Sequence, residues 1–206
     1  MTDRQELPPE FVERLRKLAE SYLTTDDPYL QSGFGGGARR WYAERQPILE
    51  PVTRDGDLLD IGCANGMLLE SLVSWASERG IQLTPHGLDQ SAELVALARA
   101  RFPRLGHNFF VGNAWSWVPP RRFRYVYSLA DVVPPDLLRA YVSRVASQFV
   151  VPGGSLILGS YGSASRRIAP LDLEELLSGF GYRVAGTASA GGGPLVRFAW
   201  LEGPAA

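Results

Sequence analysis

Asp57-Leu58-Leu59-Asp60-Ile61-Gly62-Cys63-Ala64-Asn65-Gly66-Met67 sets a short apolar run directly against a turn with two glycines, and a helical pattern begins at Met67. This order reads as strand, turn and helix start, the opening of an α/β unit. Gly62 lets the backbone come close to a ligand, and the helix that follows presents unpaired N–H groups. An ordinary strand-to-helix turn is the plainer alternative.

Downstream, apolar runs alternate with helical patterns, the arrangement of a largely parallel sheet. Strands are expected at Leu58–Gly62, Gln82–Leu88, Asn108–Val111, Tyr125–Ser128, Ser155–Gly159, Arg183–Thr187 and Val196–Leu201. Crossover helices are expected over Met67–Glu78, Ala92–Phe102, Pro135–Phe149 and Leu171–Phe180, where apolar residues recur at helical spacing. Asn113–Phe123 contains Pro119-Pro120 and predicts an irregular connection. Ala188–Pro194, with Gly191-Gly192-Gly193, is too short for a parallel crossover, so the last two strands are expected to form a hairpin.

Upstream, residues 1–57 read as an N-terminal helical extension or lid, and residues 58–206 as the main domain. Helical patterns around Pro8–Leu23 and Ala38–Val52 flank the loop-like Thr24–Gly37. In the first helix Phe11, Leu15, Leu18, Ala19 and Tyr22 form an apolar face that needs something to pack on. The extension holds more acidic than basic residues, so it is no basic arm.

Composition narrows the function. The chain has 206 residues, 45% of them hydrophobic, with 21 basic against 22 acidic side chains. That balance lacks the positive field of a nucleic-acid binder. No apolar stretch reaches the roughly 18 residues of a membrane helix, and Met1–Pro9 lacks the basic-then-apolar pattern of a secretory signal, so a cytoplasmic address is expected. Cys63 is the only cysteine, and His86 and His107 the only histidines, too few for a common Cys/His zinc cage, so no metal is expected. Both histidines read as structural.

In an open α/β sheet ligands bind beyond the carboxyl ends of the strands. After the second strand stands Asp89-Gln90, and a carboxylate there accepts both hydroxyl protons of a ribose. Capping of the next helix is the alternative role for Asp89, although Ser91 suits that task. After the third strand, Asn113-Ala114 offers an amide for an adenine edge with room for the ring, or a plain turn asparagine.

These residues resemble the class I S-adenosylmethionine-dependent methyltransferases. The resemblance rests on Asp60, Gly62 and Gly66 in an Asp-x-Gly-x-x-x-Gly run, on Asp89, on Asn113-Ala114, and on Val151-Pro152-Gly153-Gly154-Ser155-Leu156 leading into the fifth strand. It covers about Asp57 to Glu202. It implies a Rossmann-like seven-stranded sheet in the order 3-2-1-4-5-7-6 with strand seven antiparallel, and S-adenosyl-L-methionine as cofactor. It also implies a cofactor site drawn from Asp60, Gly62, Cys63, Gly66, Asp89, Gln90, Asn113, Ala114 and Ser128. In it Gly62 and its neighbours line the methionine end, Asp89 holds the ribose, Gln90 flanks the adenine and Asn113 with Ala114 meets its edge. Two positions depart from the family pattern: Ala64 stands where many members have glycine, and Arg124 where an acidic residue often precedes strand four. Asn65, which tolerates positive φ, is expected to restore freedom to the turn.

The competing enzyme reading is an NAD-dependent oxidoreductase, but Gly62-Cys63-Ala64-Asn65-Gly66 lacks the Gly-x-Gly-x-x-Gly fingerprint. A non-catalytic S-adenosylmethionine-binding regulator is the third. For methyl transfer to a small-molecule acceptor, Asp131 after strand four and Tyr161 after strand five are the candidate catalytic residues. Tyr29, Phe34, Trp41 and Tyr42 are the candidate acceptor-binding wall, with docking onto the core as their alternative role.

Overall fold

The computed structural model describes residues 6–163, 165–190 and 195–204. The first five residues of the extension and the predicted Gly191-Gly192-Gly193 run lie outside them. Alternation of side chains along β1 (Gly56–Ile61) places Leu58 in the core on one face of a sheet and Leu59 and Ile61 in the core on the other, all essentially without solvent contact. A strand buried on both faces belongs in the middle of a parallel sheet. Accordingly β1 pairs in parallel with both β2 (Leu83–Asp89) and β4 (Phe123–Leu129). Beyond them lie β3 (Phe109–Val111) on one side and β5 (Val150–Tyr161) on the other. The sheet is completed by β6 (Gly186–Ala190) and β7 (Val196–Glu202), in the order β3-β2-β1-β4-β5-β7-β6. Strand β7 runs antiparallel to both its neighbours, so the expected hairpin is present.

Helices cover both faces. Leu69, Leu72 and Ala76 of α3 (Met67–Glu78) and Val95 and Ala98 of α4 (Ala92–Arg101) pack with Leu58. Tyr141, Val142 and Val145 of α5 (Leu138–Gln148) and Leu173 and Leu177 of α6 (Leu173–Gly179) pack with Leu59 and Ile61. None of the described helices is long and apolar enough to cross a membrane.

The two halves of the extension are built differently. Its first helix, α1 (Pro9–Tyr22), buries only Phe11. The second, α2 (Gly37–Arg45), continues as a 3-10 turn over Gln46–Leu49 and places Trp41, Ile48 and Leu49 in the interior. One helix over Ala38–Val52 was expected; Pro47 has no N–H to continue it, so the geometry tightens there. Strand β1 starts at Gly56, so the expected division at residue 57 falls inside a strand.

Two strands differ from expectation by three residues or more. Strand β5 extends back to Val150, which pairs with Phe123 across a register shift. Strand β6 lies three residues beyond Arg183–Thr187 because its pairing is set by Gly186 opposite Trp200, where a Cβ would stand 2.2 Å from the indole. Val184, read as strand, packs against the core beside α6 instead, as does Tyr182 just before it. Within the predicted irregular connection Asn113–Phe123 there is no helix or strand before Phe123, where β4 begins. The guanidinium of Arg144 on α5 donates to the carbonyls of Ala114 (3.2 Å), Trp115 (2.8 Å) and Trp117, giving this irregular stretch partners that a sheet would otherwise supply.

Gly66 opens α3 at φ 76°, and a Cβ there would meet Ala98 Cβ at 3.1 Å. Gly66→Ala combines left-handed strain with this crowding and is expected to cost about 1–3 kcal/mol of stability. Urea unfolding of the two proteins measures the difference, and equal midpoints would exclude both effects.

Candidate functional site

A cavity of about 610 Å³ opens at the carboxyl end of the sheet. Its floor comes from successive strand ends: Gly62 and Ala64 after β1, Asp89 and Gln90 at the end of β2, Gly112, Asn113 and Ala114 after β3, and Leu129, Asp131 and Val132 at and beyond the end of β4. Its roof is α1, which contributes Leu15, Leu18, Ala19 and Tyr22 with Arg14, Lys17 and Ser21 beside them. The apolar face of α1 thus packs on the cavity rather than on a protein core. Arg166, from the loop after β5, completes the lining.

The turn after β1 owes its shape to three positive φ angles, at Gly62 (91°), Ala64 (45°) and Gly66 (76°). The expected compensation at Asn65 takes another form. Ala64 adopts the left-handed conformation itself, and Asn65 contributes its side chain. The Asn65 carboxamide, fully buried, accepts from Met67 N (3.1 Å) and Ser32 Oγ (2.7 Å) and donates to Pro28 O (3.0 Å) and Gln31 Oε1 (3.0 Å). It therefore ties the loop after α1 to the turn after β1.

Asp89 sits across the same turn. Its Oδ2 accepts from Ala64 N at 2.9 Å and its Oδ1 from Ser91 N at 2.9 Å. Capping of α4 falls to Ser91, whose hydroxyl accepts from Leu94 N (3.2 Å). The carboxylate is thus oriented by two backbone amides and still has acceptor capacity toward the cavity. Burial raises its pKa, against the lowering by those amides.

Solved structures share this architecture. DhpI in complex with SAM and HEP is 21% identical, with a TM-score of 0.63 over 92% of this chain and 94% of that one. A SAM-dependent methyltransferase from Aquifex aeolicus is 16% identical, with a TM-score of 0.58 over 88% of this chain and 96% of that one. A TehB-like SAM-dependent methyltransferase from Corynebacterium glutamicum is 17% identical, with a TM-score of 0.56 over 95% and 97%. This is the SAM-dependent methyltransferase fold. No family model and no curated protein sequence matches the chain.

Within this methyltransferase fold the cavity brings together Gly62, Asp89, Gln90, Asn113 and Ala114 from the expected cofactor residues. The other four lie behind its wall. Gly66 is packed against Ala98, and Ser128 is buried with its hydroxyl 2.7 Å from that of Tyr141. Cys63 is buried, and burial pushes its thiol well up, so it holds its proton. Asp60 is buried with one carboxyl oxygen lacking any hydrogen-bond partner, and burial, then the charge of Asp89, raises its pKa to about 8. Asn113 lines the cavity while its Oδ1 accepts from Trp115 N (2.8 Å), an Asx turn that directs the chain away from β3.

Asp131 also lines the cavity, whereas Tyr161 does not. The Tyr161 hydroxyl is 2.7 Å from that of Tyr127, and the Arg45 guanidinium lies 3.9 Å from its ring centroid. The four aromatics expected to wall the acceptor are likewise absent from the lining, because they have partners elsewhere. Tyr29 and Phe34 meet Trp41 edge to face at 5.4 and 5.3 Å, and Trp41 Nε1 donates to Ser71 Oγ on α3 at 2.9 Å. Tyr42 packs on Trp75. The extension reaches the cavity through Tyr22 instead, whose hydroxyl pKa is raised by burial and by the charges of Asp131 and Asp89. Tyr22, Leu94, Val132 and Arg166 escaped sequence reasoning as site residues; only the unassigned apolar face of α1 signalled one of them. His86 is buried, 2.9 Å from Arg121, and burial lowers its pKa.

Because Asp60 stays protonated in the folded chain up to about pH 8, whereas an unfolded aspartate ionises near pH 4, folding becomes less favourable as pH rises through that window. Asp60→Asn mimics the neutral form. Its melting temperature relative to the parent is expected to rise steadily from pH 4 to pH 8 in thermal scans, and a constant difference would mean that Asp60 is ionised throughout.

Proposed function

We propose that the chain transfers a methyl group from S-adenosylmethionine to a small molecule held in this cavity. One observation carries the reading: in a methyltransferase fold, the carboxylate at the end of β2 is aimed by the amides of Ala64 and Ser91 into a cavity of a size usual for a cofactor and its acceptor. The partnerless oxygen of Asp60 and the left-handed turn at Gly62 fit a cationic ligand approached closely by backbone. Asp89 would hold the ribose hydroxyls, Gly62 the methionine end, Gln90 the face of the adenine, and Asn113 with Ala114 its edge. Asp60, Cys63, Gly66 and Ser128 support those contacts from behind.

When bound, the cofactor supplies a methyl group on a positively charged sulfur. The chain's own contribution is to orient and to exclude water. Leu15, Leu18 and Tyr22 of α1 close the cavity from above, which makes α1 the lid of the extension. Asp131 stands beyond β4 on the open side and is placed to take a hydrogen bond, or the proton, from an acceptor hydroxyl or amine. Tyr161 and the cluster around Trp41 brace the wall. The dehydrogenase and regulator readings find no support in the comparisons, and the polar, cysteine-poor composition suits a cytoplasmic enzyme.

Titration calorimetry is expected to show binding of S-adenosylmethionine and none of NAD; the reverse result would overturn the proposal. Asp89→Ala is expected to weaken S-adenosylmethionine by about 1.5–3 kcal/mol, the scale of lost charged hydrogen bonds. In hydrogen exchange, S-adenosylhomocysteine is expected to slow the amides of α1 while those of β1 stay unchanged. Unchanged exchange in α1 would separate it from the site.

A further inference from the structure

The basic residues of the cavity have no place in cofactor recognition as described above. Arg166 is carried by the loop after β5, which Ser163 and Ile168 close with reciprocal backbone hydrogen bonds of 2.7 and 2.9 Å. The Arg166 Nε donates to Ser163 Oγ at 3.3 Å, and the neighbouring Arg167 sits at φ 53°. A left-handed non-glycine residue is a strained conformation that persists where its surroundings impose it, often at ligand sites. In the sheet order, Asp89 and Asn113 stand over β2 and β3, whereas Arg166 comes from β5, on the far side of β1 and β4. It therefore enters on the half beside Asp131, away from the residues assigned to adenosine.

From the roof, Arg14 and Lys17 line the same cavity one helical turn apart. Arg14 lies over the Phe11 ring at 4.6 Å, and Lys17 is 3.6 Å from Glu13. Among the described residues neither Arg14 nor Arg166 has a carboxylate within ion-pair distance. Glu13 offsets Lys17, and Asp89 and Asp131 in the lining suit a sulfonium, so the guanidiniums of Arg14 and Arg166 are the lining charges left for an anion. Guanidinium groups match oxyanions through paired N–H bonds.

We infer that the methyl acceptor is a small organic acid whose oxyanion, a carboxylate or a phosphate group, is held by Arg166, with Arg14 closing onto it as α1 settles. This rests on the methyltransferase reading, since it names the acceptor class for that site. Lys17, paired with Glu13, is not needed for this, and Asp131 remains to address the atom that receives the methyl group.

The test uses the full chain saturated with S-adenosylhomocysteine and titrated, by calorimetry, with succinate, inorganic phosphate or glycerol. At least one of the two anions is expected to bind and glycerol not to, and the anion preferred identifies the acid. Arg166→Gln is expected to weaken that anion tenfold or more while changing S-adenosylhomocysteine affinity less than threefold. Arg79→Gln, at the C-terminal end of α3 away from the cavity, controls for net charge and is expected to change neither. Absence of anion binding to the loaded protein, or equal binding by Arg166→Gln, overturns the inference and leaves the methyltransferase reading standing. So does a tenfold loss of S-adenosylhomocysteine affinity in Arg166→Gln, which would assign the arginine to the cofactor's own carboxylate. Failure of the parent chain to bind S-adenosylhomocysteine overturns both.

Discussion

The site depends on a clasp between two adjacent strands. Ala64 N, in the turn after β1, donates to the carboxylate of Asp89 at the end of β2, and the same turn buries the side chain of Asn65 among four polar partners. A left-handed alanine costs about 1–2 kcal/mol, and these buried hydrogen bonds hold it in place. Through Pro28, Gln31 and Ser32 the clasp also carries the segment that returns from α1, so the floor and the roof of the cavity hang from one turn.

Asp60 adds an electrostatic side to this arrangement. Two carboxyl groups, Asp60 and Asp89, approach each other at the ends of neighbouring strands, and burial keeps the deeper one protonated. Polar strain of this kind is poor economy in a core, and proteins retain it where a ligand relieves it.

Much of this was legible in the chain. The strand-turn-helix stretch around Gly62, the acidic end of β2 and the asparagine after β3 placed five of the expected cofactor residues around one cavity, because strand ends in a parallel sheet converge whatever the details of packing. The terminal hairpin followed from loop length. Other features were not legible, each for a physical reason. The aromatics of the extension have the composition of a binding wall, and only the tertiary fold shows that Trp41 spends its N–H on Ser71. Ala38–Val52 reads as one helix, and only the structure shows that the chain tightens into a 3-10 turn at Pro47. Periodicity showed that α1 had an apolar face without showing that its partner was a cavity. Arg166, one of several polar residues in a loop, carries no periodic signal at all.

The unequal anchoring of the extension has an evolutionary corollary. Substitutions in the second half, where Trp41, Ile48 and Leu49 are interior, tax folding directly, whereas most of α1 lines the cavity or faces solvent. Drift in that first helix can therefore reshape what the pocket accepts while the scaffold beneath is left alone. A new preference would be acquired by rewriting the roof, not the house.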